Sequence, residues 1–120
     1  MKKWVLLEHK VFCGDLFDIH FDFLLENGSD CLTWKILEVP SFKNGSVQII
    51  KQPNHRLVWL SRLNYELSDN RGFVRRIDFG NLERKDYKLN FEEINLRLKG
   101  KLLNGIFQIK GNSCRLINNI

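Results

Sequence analysis

The sequence predicts an all-β fold: a small closed or partly open antiparallel β-barrel with little helix. Three observations predict it. Apolar and polar residues alternate in short runs along most of the chain. Gly, Asn, Asp and Ser, the residues of tight turns, separate those runs. No stretch holds a helical period convincingly, and only 8–18 and 81–93 leave room for a helix. The 120 residues are expected to form one domain, 1–120, long enough to bury roughly two thirds of the unfolded surface.

The elements follow in order. WVLLEH (4–9) reads as a first strand, and IHFDFLLE (19–26) as a second, closed by the turn NGSD (27–30). CLTWKIL (31–37) completes a hairpin with it; 38–46 is loop. VQIIK (47–51) is a short strand, and RLVWLSRLNYEL (56–67) a long, bulged one. SDNRG (68–72) turns into the strand GFVRRIDFG (72–80), and NLERKDYK (81–88) is loop or a single helical turn. INLRLKG (94–100), LLNGIFQIKG (102–111) and SCRLI (113–117) are the last three strands.

Composition narrows the function classes. Hydrophobic residues are 43% and charged residues 28%, which excludes a disordered chain. No apolar run reaches the roughly 20 residues of a membrane-spanning helix, so no membrane partner is expected. The N-terminal apolar run ends at Glu8 and His9 without a small-residue cleavage site, which argues against a signal peptide. Cys13, Cys31 and Cys114 form no CxxC and are odd in number, as in reduced thiols of a cytoplasmic protein. The net charge of +5 suits a nucleic-acid or phosphate partner. There is no phosphate-cradling Gly loop, no GxSxG and no zinc-ribbon spacing, and Cys13 lacks the context of a nucleophile for His20.

The histidines carry the sharpest signal. Side chains two apart on a strand share a face, so His20, Asp22, Leu24 and Glu26 point one way. Ile19, Phe21, Phe23 and Leu25 point the other way, into a core. His20 and Asp22 are then either two polar residues on a solvated face or two ligands of a metal. His9, on the adjacent strand, would complete two imidazoles and a carboxylate, a nitrogen/oxygen set for a divalent ion such as Mn²⁺ or Zn²⁺ with positions left for water and substrate. His55, in QPNHRL, either donates to a phosphate oxygen or caps a turn. Glu26 either orients a ligand or ends a strand in solvent. Arg56, Arg62, Arg71, Arg75, Arg76, Arg84 and Lys85 form a basic set that would track a nucleic-acid backbone or simply be solvated. Trp4, Trp34 and Trp59 fit a core or a base-stacking platform.

EH (8–9), HFDFLLE (20–26), LTWKIL (32–37), PNHRLVWL (53–60), RGFVRRIDFG (71–80) and LRLKGKLLNGIFQIK (96–110) occur in one order along nearly the whole chain. In that order the chain resembles the phosphoesterase domain of bacterial DNA ligase D, and more closely the small stand-alone proteins similar to that domain. The resemblance implies a compact β-barrel that binds Mn²⁺, with Zn²⁺ or Co²⁺ as alternatives. It implies removal of phosphate or ribonucleotides from nucleic-acid 3′ ends in DNA repair, by metal-assisted phosphoester hydrolysis. By this resemblance His9, His20 and Asp22 are metal ligands. His55 contacts the phosphate, and His20 and His55 carry the catalysis. The implied partners are a DNA or RNA/DNA 3′ end and DNA-repair proteins, with the chain a monomer.

The chain departs from the family in four places. Ten residues, KVFCGDLFDI, separate His9 and His20 where the family has five, which opens the site to Asp15 or Asp18. Leu24 stands where active members have an Arg on the phosphate, and a leucine donates no hydrogen bond. Trp59 stands where a Tyr is usual, and the N-terminal arm of the ligase domains has no counterpart. Arg56, Arg75 or Arg76 would then substitute for the missing Arg. The alternative function is a non-catalytic metal-bearing barrel that binds nucleic acid or a repair partner.

Overall fold

The computed structural model describes residues 1–67, 71–90 and 92–118. Ten strands form one antiparallel sheet: β1 Lys2–Cys13, β2 Leu16–Asn27, β3 Asp30–Ile36, β4 Val47–Arg56, β5 Asn64–Leu67, β6 Gly72–Leu82, β7 Tyr87–Leu89, β8 Glu93–Lys99, β9 Asn104–Lys110 and β10 Ser113–Ile117. Their order is β5-β6-β1-β2-β3-β4-β10-β9-β8-β7. The all-β expectation holds, but the sheet has two ends, so strand pairing does not close it into a barrel. The described helical elements are the 3₁₀ turns Leu57–Leu60 and Arg84–Asp86. No helix among the described residues is long and apolar enough to cross a membrane.

Several local expectations change. Residues 8–18 are not helix: β1 and β2 continue through them as a long hairpin that turns at Gly14 and Asp15, where Gly14 takes φ +67°. The expected strand 56–67 is broken: β4 ends at Arg56, a 3₁₀ turn follows, and only Asn64–Leu67 is strand. In 81–88 the expected helical turn is present at Arg84–Asp86. Most of the turn expected at 68–72 lies outside the described residues.

The main core centres on Phe23, which packs against Trp4 at 5.8 Å, Trp34 at 6.3 Å and Phe107 at 4.8 Å between ring centroids. Phe107 comes from β9 while the others come from β1 to β3, so the sheet curls until its two halves face each other. Removing a ring as enclosed as Phe23 costs about 3–5 kcal/mol. A second, smaller cluster lies on the opposite face of β1 and β2. It contains Val5, Leu7, Leu24, Cys31, Leu60 and Val74. The turn Leu57–Leu60 covers it. WVLL and FLL are therefore buried on both faces, which is why they read as continuous apolar runs instead of alternating ones. Leu24 is fully buried here, so its face is not the solvated one the alternation predicts.

Two bulges adjust the alternation. In β4, Pro53 and Asn54 oppose only Leu32, between the pairs Thr33↔Gln52 and Cys31↔His55. Proline, with no N–H to give the ladder, is tolerated at such a site. Without the extra residue His55 would share the core face of Val47 and Ile49; with it, His55 joins the face of Cys31 and Leu24. In β6 the register slips at Ile77, between Leu7↔Arg76 and Leu6↔Asp78. That slip turns Asp78 into the core side, where its carboxylate accepts from the backbone N–H groups of Phe79, Lys101, Leu102 and Leu103 at 2.8–3.0 Å. This latch ties β6 to the β8–β9 connection across the gap that pairing leaves open. Gly100 is required beside it, because a Cβ there would lie 2.3 Å from the carboxylate.

Candidate metal centre

His9 and His20 face each other directly in the β1–β2 register, and Asp22 lies two residues beyond His20 on the same face. Beyond this pair, Lys10↔Ile19 through Cys13↔Leu16 complete the ladder to the two-residue turn. The ten intervening residues therefore lengthen the hairpin without disturbing the histidines. They form four cross-strand pairs and a two-residue turn, which leaves His9 and His20 directly opposite each other and so on one face. Among the described residues, the group that clusters as metal ligands is His9, His20 and Asp22, without Asp15 or Asp18.

His9 Nδ1 lies 3.1 Å from His20 Nε2. Asp22 Oδ2 is 3.7 Å from His9 Nδ1, and Oδ1 is 3.5 Å from His20 Nε2. Ligand bonds of about 2.1 Å give ligand–ligand edges of about 3.0 Å in an octahedron and about 3.4 Å in a tetrahedron. The spacing of these three groups fits one divalent ion. The donor set, two neutral nitrogens and one carboxylate, suits Mn²⁺, Zn²⁺ or Co²⁺ and leaves coordination positions for other ligands. Without an ion, the imidazoles can share one proton between Nδ1 and Nε2, while both contacts to Asp22 are too long for good hydrogen bonds. Burial pushes the Asp22 carboxyl up, but the neighbouring His20 and His9 more than offset this and hold it at about 2. The carboxylate is thus ionised across the physiological range. One feature is incomplete: His9 Nε2 is buried with no hydrogen-bond partner, whereas metal-bound imidazoles usually donate their second N–H.

A cavity of about 240 Å³ opens on this group. Its polar lining is His9, Asp22, His55 and Arg71, and its apolar wall is Leu7, Trp59, Leu67 and Val74. His55 reaches it because of the β4 bulge, and its Nδ1 lies 3.1 Å from the Pro53 carbonyl, which fixes the ring. Trp59 is held from behind: Arg62 lies 4.5 Å over its ring, and Tyr65 meets it edge-on at 5.2 Å.

The other expected residues go elsewhere. Arg56 follows His55 in the strand and projects from the opposite face. Arg75 pairs with Glu8 at 3.1 Å, on the face of β1 that His9 does not share. Arg76 shares the site face but lies over Phe79, with its guanidinium directed at the Leu60 carbonyl. Glu26 accepts from the Lys3 backbone and touches no ligand. Cys13 sits at the far end of the hairpin, and burial, with Asp30 and Glu26 nearby, pushes the Cys31 thiol up to about 11, so neither provides a thiolate beside the site. Arg71 is the cavity residue that sequence reasoning left in the general basic set. The signal for it was Gly72: this glycine takes φ +134° and lies so close to β1 that a Cβ would fall 1.8 Å from the Lys10 carbonyl. Only glycine lets the chain carry Arg71 that near to the strand of His9.

No protein-family model matches this chain, and no curated protein matches it significantly, so the centre stands on its own geometry.

Proposed function

We propose that His9, His20 and Asp22 hold a divalent metal, Mn²⁺ first, and that the protein is a metal-dependent phosphoesterase acting on nucleic-acid 3′ ends. The observation that carries this reading is the clustering of the three ligand atoms beside a cavity that His9, Asp22 and His55 line. When bound, the ion would polarise a phosphoryl oxygen and lower the pKa of a coordinated water. The protein's own groups have separate tasks. Asp22 supplies a fixed negative charge. His9 and His20 supply nitrogens aimed by the hairpin register. His55, held through Nδ1 by the Pro53 carbonyl, presents Nε2 to an anionic oxygen and donates to it when the ring is protonated. Trp59 and Leu67 exclude water from one side.

The partly open β-barrel of the ligase-D type is the architecture this reading goes with, and a nucleic-acid end is the partner. The test is release of phosphate from a 3′-phosphoryl oligonucleotide with Mn²⁺. His20→Ala should lower the rate at least a hundredfold. Equal rates in the variant, or a wild type that takes up no metal, would overturn the proposal.

A second reading has its own observation. Leu24, at the family's Arg position, is sealed inside the apolar cluster with Leu7 and Leu60. A metal-bearing barrel that binds nucleic-acid ends without cutting them fits that loss. Metal-dependent binding with no turnover would select it.

A further inference from the structure

We propose that the outer face of β7–β10 is a nucleic-acid surface separate from the metal cavity, one that holds the phosphate backbone of a duplex without reading its sequence. The inference rests on neither the metal site nor catalysis.

Register comes first. Residues paired across strands share a face. Leu96, Phe107 and Leu116 form one such row in the main core, so the residues that alternate with them point outward. Lys88, Arg97, Lys99, Lys110 and Arg115 all lie on that outward side. Lys85 joins Lys88 and Arg97 around a hollow of about 150 Å³. All six are exposed except Arg97, which is half-buried. The curled sheet packs its two halves core to core, so this face points away from the outer face of β1 and β2, which bears the metal centre.

Charge comes second. Among the described residues, none of these six cations is in an ion pair. The carboxylates of the same hollow and face are Asp86 and Glu93, and both are engaged. Asp86 accepts from the Glu83 N–H, and Glu93 accepts from the Gln108 amide. Six cations against two carboxylates leave four of the chain's net five positive charges on one side of the sheet. Such a patch is the footprint of a polyanion.

The occupant follows from what the face presents. Single strands are held by bases stacked on aromatic rings, and membrane surfaces by apolar and aromatic side chains. Among the described residues, β7–β10 turn no ring outward: Tyr87 pairs with Leu96, and Phe107 lies in the core. Between the cations stand Asn95, Ile106 and Gln108. A duplex carries one charge per about 1.7 Å of axis, so the roughly 20 Å length of β9 faces about a dozen phosphates, about half of them turned to the sheet. Six cations match that number. Contacts of this kind position a duplex and carry no sequence information.

The experiment is fluorescence anisotropy of a labelled blunt DNA duplex with 3′-hydroxyl ends, in EDTA, over a salt series. Wild type should bind it, with log affinity falling by about 0.9 per phosphate contact for each tenfold rise in salt. The double variant Arg97→Gln/Arg115→Gln should bind about tenfold more weakly or worse at about 0.1 M salt, with a slope shallower by about two. Lys3→Gln/Lys10→Gln makes an equal change of net charge on β1 and should bind as wild type does. Thermal midpoints show that both variants fold. Phosphatidylserine vesicles and a single strand of the same length are the competing ligands. A wild type that ignores the duplex, or prefers the vesicles or the single strand, overturns the proposal. So does an equal loss in both double variants, which would assign binding to net charge and not to this face. Hydrolysis is scored separately. Face-dependent duplex binding without turnover keeps this inference and removes the enzyme reading, whereas turnover at 3′ ends with unchanged duplex binding in Arg97→Gln/Arg115→Gln does the reverse.

Discussion

Asp22 and Asp78 are both buried aspartates on strands that flank β1, with 7% and 3% of their surface exposed, yet their surroundings are opposite. Asp78 receives four backbone N–H groups, and both oxygens are saturated. Asp22 has two imidazole nitrogens at 3.5 and 3.7 Å, and among the described residues no backbone donor is aimed at it. A buried carboxylate with its partners supplied by the chain is a joint. One whose neighbours are histidines, all three pointing at one spot, has its partner still to come from outside. The contrast separates residues that hold the fold from residues that the fold holds.

The largest effect that tests this contrast is Asp78→Ala. It leaves three N–H groups of residues 101–103 without an acceptor and unties β6 from the β8–β9 connection. Each orphaned buried donor costs about 1–3 kcal/mol, so the loss should be about 3–5 kcal/mol after partial relaxation. Urea unfolding measures it. A loss under about 1 kcal/mol would mean that the latch is ornamental and the contrast false. Asp22→Asn, by comparison, should lose no more than about 2 kcal/mol at neutral pH without metal, the part that ionisation beside the histidines contributes.

Next in size is the response to metal. At a concentration one hundred times its dissociation constant, a bound ion stabilises the fold by about 2.7 kcal/mol, a rise on the order of 10 °C in thermal midpoint for a domain of this size. Mn²⁺ should give wild type that rise, and Asp22→Asn should lose most of it. A shift that survives in Asp22→Asn would place the ion elsewhere and leave Asp22 with no more than a packing role.

Much of this was legible in the sequence, and the gaps have definite causes. The alternation of HFDFLLE put His20 and Asp22 on one face, and the His9–His20 facing pair needed only a hairpin between them. Alternation does not tell which faces are covered. Leu24 was assigned to the His20 face correctly, but that face becomes a second core because Leu57–Leu60 folds over it, a tertiary event. Leu24→Arg would therefore bury a charge among Leu7, Leu60 and Val74 and perturb the fold before it touched a substrate. The bulges at Pro53 and Ile77 were invisible because one extra residue reverses facing without altering composition. Arg75 and Arg76 follow plain alternation instead: Arg75 pairs with Glu8 on the far face of β1, whereas Arg76 opposes Leu7 on the site face but turns to Phe79 and the Leu60 carbonyl.

The acid limb gives a smaller effect with a fixed sign. The Asp22 carboxyl titrates at about 2 in the folded protein, against 3.8 for the ordinary group. A lowered carboxyl pKa adds stability that is present above about pH 4 and is lost as the pH falls towards 2. Wild type should therefore lose about 2 kcal/mol relative to Asp22→Asn across that interval. Parallel acid-unfolding curves for the two proteins would show that the imidazoles do not hold the carboxylate.

The smallest effect on stability belongs to His55, and that is the point of the comparison. Its ring is half-buried and makes one hydrogen bond, to the Pro53 carbonyl. His55→Gln should change unfolding stability by less than about 1 kcal/mol, because the lost bond is exposed and water replaces it. Its effect on anion binding should be larger: binding of the 3′-phosphate by Mn²⁺-loaded protein should weaken about tenfold in His55→Gln, the scale of one hydrogen bond to a charged group. Unchanged binding in His55→Gln would mean that the ring does not meet the anion. The bulge at Pro53 and Asn54 would then be a bend in a strand, and the strongest argument that the fold is arranged around this cavity would fall with it.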